Sequence, residues 1–134
     1  MRTATRMLPA GLSAALLTIT LVAQVQADVT FFHRARLVPS DAESSASGRA
    51  FDYETIGYPF NAGLAVRVRD ISGTDTVDVL INNEYVATIS LTDGSGEVEL
   101  MGTLGTDVPF IDAGDVVDIV NPDDGTILLE GIFD

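Results

Sequence analysis

Residues 76–91 read TVDVLINNEYVATISL, and this stretch decides the fold. Val77, Val79 and Ile81 fall on one face of an extended run with Asp78 on the other, and Tyr85, Ala87, Ile89 and Leu91 then alternate with Thr88 and Ser90. A period of two marks a half-buried strand, because successive side chains of a strand point to opposite faces. Between the runs lie Asn82 and Asn83, and asparagine tolerates the positive φ angles that a tight hairpin turn requires. The stretch therefore predicts an antiparallel hairpin.

The same pattern extends in both directions. Leu64, Val66 and Val68 alternate with Arg67 and Arg69, and Val98 and Leu100 alternate with Glu97 and Glu99. Asp93-Gly94-Ser95-Gly96 is a second turn, joining the Tyr85 strand to the Glu97 strand, and Asn121-Pro122-Asp123-Asp124-Gly125 a third, between runs at 115–121 and 125–133. Upstream, 29–37 places Phe31, Ala35 and Leu37 on one face, and 48–58 offers Phe51 and Tyr53 to the core. The link Pro39 to Ser47 is polar and serine-rich, with little to bury, and is expected to be the most mobile part. The connection Gly102 to Gly114 carries Pro109, Phe110 and Ile111, which are placed to plug one end of the domain.

No helical stripe competes with these runs. About eight short strands with frequent turns predict an all-β domain, a two-sheet antiparallel β-sandwich of immunoglobulin-like or Greek-key type, with a small barrel as the alternative. The run from Val77 to Leu100 is similar in its turns and alternation to small exported bacterial β-sandwich domains. That likeness implies an architecture and carries no functional residue with it.

Residues 1–27 read as a secretory signal peptide. Arg2 and Arg6 precede a mostly apolar run from Met7 to Ala23, and Val25-Gln26-Ala27 ends in the small residue that cleavage needs. Pro9, Gly11, Ser13, Thr18 and Thr20 interrupt the run, which falls short of the roughly 20 apolar residues of a spanning helix. Residues 28–134 then form one domain, secreted or periplasmic, with no membrane span. The chain has a net charge of −13, and removing Arg2 and Arg6 leaves five arginines against twenty acids, or −15. That balance disfavours nucleic acid and anionic lipid as partners. Cysteine is absent, so stability rests on packing and pairing, and thiol chemistry is closed to the chain.

Candidate chemistry is sparse. His33 is the only histidine, and its strand parity puts it on the face of Phe31 and Ala35, toward the core or a sheet edge; a histidine hydrogen-bonded within the structure is the simpler reading than a general base or a metal ligand. No G-x-S-x-G elbow accompanies the serines. Glu97 with Glu99, and Asp52 with Glu54, each share a strand face and read as solvated outer charges, the latter pair within reach of Arg67 and Arg69. Calcium is the one metal with candidate ligands: Asp93 with Glu97, Asp112 with Asp115, and Asp123 with Asp124. Turn formation explains the same aspartates. Tyr53, Tyr58 and Phe60 form a conceivable sugar-stacking platform, although core packing is the simpler role for Phe51 and Tyr53.

By elimination, the sequence points to an exported non-enzymatic module with a binding or structural role at the cell envelope or outside the cell. Its partner is expected to be a protein or an extracellular matrix component, and no cofactor is implied. A small exported hydrolase using carboxylates and a calcium-dependent adhesion domain are the alternatives.

Overall fold

The structure, a computed structural model, describes residues 28–56 and 62–134. Residues 1–27, read from the sequence as a signal, and Tyr58-Pro59-Phe60 lie outside them. Eight strands follow one another, and no helix occurs among the described residues: β1 (Asp28–Pro39), β2 (Ser47–Ile56), β3 (Ala62–Arg69), β4 (Thr76–Ile81), β5 (Glu84–Ser90), β6 (Gly96–Gly102), β7 (Val116–Val120) and β8 (Ile127–Ile132).

All pairings between strands are antiparallel, in the order β5-β4-β7-β8-β1-β2-β3-β6. The hydrogen bonds draw one nearly closed, barrel-like sheet. Two four-strand halves, β1-β2-β3-β6 and β8-β7-β4-β5, are stitched together by β1, whose last residues Val38 and Pro39 leave β2 and pair with Glu130 and Leu129. A strand of 12 residues is long enough to follow the sheet's twist from one half into the other. Proline suits that final position because it has no N–H to donate. Gly131 permits the crossing: a Cβ there would overlap the Arg36 carbonyl and the Leu37 side chain.

β3 to β6 form one long hairpin folded over on itself. Its tip is the predicted Asn82-Asn83 turn, with φ of 51° and 68°. β4 pairs with β5 beyond the bend and β3 with β6 before it, and the corner is held by Ile71 N–H to Gly94 O and Leu91 N–H to Asp75 O, each 2.9 Å. The Asp93-Gly94 turn closes within the corner through Thr92 and Ser95.

The core is aliphatic. Leu37, Leu64, Val66, Val68, Val77, Val79, Ile89, Val117, Ile119, Leu129 and Phe133 are fully buried, and Val108 and Ile111 of the 103–115 connection seal one end. Of that connection Val108 and Ile111 join the core cluster, whereas Phe110 is 69% exposed.

Three expectations about side-chain direction are corrected. Tyr85 is 63% exposed: Leu80 pairs with Tyr85 while Val79 pairs with Ala87, so Val86 is an extra residue that reverses the alternation. In β2 the inward residues are Ala50 and Asp52, whereas Phe51 and Tyr53 are half-buried on the outer face. Asp52, expected in solvent, is 2% exposed.

Candidate functional site: an arginine-lined face

The outer face of β1-β2-β3-β6 is a grid fixed by register. Arg36 stands opposite Arg49, Arg49 opposite Arg67 and Arg67 opposite Glu97. The next row is Arg34, Phe51, Ala65 and Glu99, and the row beyond it Phe32, Tyr53, Gly63 and Met101. Arg69, opposite Ser47, borders the basic row on the other side. All five arginines described are exposed, and all lie on this one face.

Alternation puts them there. Ala35 and Leu37, Ala50, and Val66 and Val68 are drawn into the core, so the arginines beside them in sequence must face out. With neighbouring strands about 4.8 Å apart, the outer two guanidinium-bearing positions of the basic row are separated by about 10 Å. Like charges directly opposite across strands are destabilising, by a few tenths of a kcal/mol or more per pair.

Little inside the protein offsets this. Among the described residues Arg67 alone of the five forms an ion pair, its Nε 2.9 Å from Glu97 Oε1, and both side chains are well exposed. The expected reach of Arg67 and Arg69 to Asp52 and Glu54 does not occur, because in register Asp52 faces Leu64 and Glu54 faces Ala62. The Arg34 guanidinium carbon sits 4.7 Å from the Phe32 ring centre, and Phe32 stacks on Phe51 at 6.1 Å. Tyr53 lies flat over β3, where a Cβ on Gly63 would overlap its ring. Burial and the neighbouring Glu99 carboxylate push the Tyr53 hydroxyl's pKa up. Beside these rings runs a groove of about 980 Å³, walled by Arg34, Arg36, Arg49, Arg67, Arg69 and Glu99 and floored in part by Phe51, with Phe32 and Tyr53 outside its lining.

The other candidates resolve differently. His33 Nδ1 and Asp52 Oδ2 are 2.9 Å apart, with side chains 16% and 3% exposed. This is the internally hydrogen-bonded histidine expected from sequence. Burial raises the Asp52 pKa, the His33 contact opposes that rise, and Asp112 adds to it. The pair resembles the base and orienting carboxylate of a hydrolase, but the carboxylate is shut in beneath the outer surface. Asp52 Oδ1 is buried without a partner among the described residues.

The residues weighed for calcium serve turns. Asp115 accepts the Asp112 N–H at 2.8 Å and the Asn82 amide at 3.1 Å, and Asp124 accepts the Thr126 N–H at 2.9 Å, which lowers its pKa. Asp93 occupies a turn at φ 52° and Asp123 donates its N–H to Asn121 Oδ1. Glu97 is committed to Arg67. Among the described residues no group of three or more His, Cys, Asp or Glu is placed to hold a metal ion.

The arginine face escapes a search for motifs, since it depends on register between strands. Its trace in the sequence is a charge asymmetry: all five arginines after residue 27 fall between 34 and 69, and from Asp70 to Asp134 there are fifteen acids and no base. Compared with protein-family models, curated proteins and solved structures, the chain matches none.

Proposed function

We propose that the chain is an exported, non-enzymatic binding module that takes an anionic ligand on the arginine face of β1-β2-β3-β6. The observation that carries this reading is the row Arg36-Arg49-Arg67, three guanidiniums abreast with one carboxylate at its end. Among the described residues only Arg67 of that row has an ion-pair partner, and an arginine does not discharge itself by losing its proton. A ligand carboxylate, sulfate or phosphate meets each guanidinium with two parallel hydrogen bonds and removes the mutual repulsion. Export follows from the leader-like residues 1–27, and we read the two halves of the sheet as the layers of a sandwich, with the groove on the outside of one layer.

The test uses tricarballylate, a small tricarboxylate, titrated at constant ionic strength while the arginine Nε–Hε resonances are followed by NMR. Arg36, Arg49 and Arg67 are expected to shift together and saturably. Uniform, unsaturable shifts, or none, refute the reading.

A further inference from the structure

We infer that the natural ligand of this face is an acidic polysaccharide carrying one carboxylate per sugar, laid across the strands along the basic row. The inference rests on the anion-binding reading above and adds the class of polymer.

Three features favour it. The charges are regular, one guanidinium per strand on three successive strands, and a polymer with one anionic group per monomer presents charges at a comparable repeat. Rings lie beside the charges: Phe51 is directly opposite Arg34 and Ala65, and Phe32 and Tyr53 form the following row. Half-exposed aromatic faces next to guanidiniums suit the apolar C–H face of a pyranose whose carboxylate turns toward the arginines. Ala65 leaves β3 low beside Phe51, so that a ring can settle against the sheet there, next to the Tyr53 ring that already covers Gly63.

The surroundings argue against a denser polyanion. Glu97 and Glu99 fence the β6 side of both charged rows, and the whole chain carries −13. A nucleic acid duplex, with about one charge per 1.7 Å of axis, brings far more phosphate against that fence than three to five arginines neutralise. A single chain with one charge per sugar brings less.

The experiment is calorimetric titration of the purified protein with polygalacturonate, fully methyl-esterified polygalacturonate and double-stranded DNA at matched ionic strength. Polygalacturonate is expected to bind, its ester not to bind, and DNA to bind at least tenfold more weakly. Arg36→Ala with Arg49→Ala is expected to weaken polygalacturonate binding by about 100-fold, from the loss of two charge-assisted hydrogen-bonding groups. Arg36→Lys with Arg49→Lys keeps the charge and the fold but loses the planar fork, and is expected to lose about tenfold. Phe51→Ala is expected to weaken polygalacturonate several-fold and to leave the tricarballylate shifts unchanged. If tricarballylate shifts the arginines but polygalacturonate does not bind, or DNA binds as tightly, the polysaccharide inference fails and the anion site stands. If neither anion acts on the arginines, both fail.

Discussion

On the outside of β1-β2-β3-β6 three guanidiniums stand abreast, and on the outside of β8-β7-β4-β5 two carboxylates do. Asp118 lies directly opposite Glu130, in a row that runs Tyr85, Leu80, Asp118, Glu130, Val38 across five strands. Its apolar neighbours leave Asp118 only 4% exposed, with Oδ1 buried and unpartnered. Burial, then the hydrogen bond to Glu130 and repulsion from it, push the Asp118 pKa up to about 6. Both faces thus hold like charges in register, but they relieve them by different means. The carboxylate row takes up a proton as pH falls through about 6. The guanidinium row has no such route, since arginine stays charged at every accessible pH, and among the described residues its one ion-pair partner is Glu97, at Arg67.

The comparison breaks most completely if the core shared by both faces loosens. Phe133 is among the largest fully buried side chains, and Phe133→Ala is expected to cost about 3–5 kcal/mol in urea unfolding. Both faces should lose their order together. Loss of anion binding with a native-like stability would mean that the face does not depend on the core as described.

The acid pair sharpens it through pH. Asp118 binds its proton more tightly folded than unfolded, so its contribution is fully present below the unfolded value of 3.8 and is lost as pH rises through about 6. Unfolding free energy is therefore expected to fall by about 2 kcal/mol between pH 4 and pH 7.5 on this account. Asp118→Asn, which mimics the protonated acid, should match the native protein at pH 4 and exceed it at pH 7.5. Equal stability of the two proteins at pH 7.5 would remove the carboxylate half of the comparison.

The smallest effect is the most direct. Arg49→Thr takes the central charge out of the basic row and is expected to raise stability by a few tenths of a kcal/mol at low salt, a gain that disappears in about 1 M salt. A loss of stability would show that the row is a structural device needing no external anion.

What could be read from the sequence was what is local. The Asn82-Asn83, Asp93-Gly94 and Asn121–Gly125 turns carry their own conformational chemistry, and the strands beside them follow from period two. One extra residue, Val86, was enough to turn Tyr85 outward, because the alternation has no memory across a bulge. Phe51 and Tyr53 show that aromatic bulk is not by itself an inward signal. The inward space between β1 and β3 is filled by Ala50 and by Asp52 with its histidine. The seam at Val38 and Pro39 and the Arg36-Arg49-Arg67 row both depend on which strand lies beside which, and no single stretch of the sequence states that.

The Asp93-Gly94 corner has a consequence beyond shape. β5 and β6 are the two end strands of the sheet, and the tight turn brings them against each other. Among the described residues their only pairing with each other is the Thr92–Ser95 bridge in the turn, so each keeps an outer border, and its shortness, seven residues in either strand, limits what a visiting chain can extend.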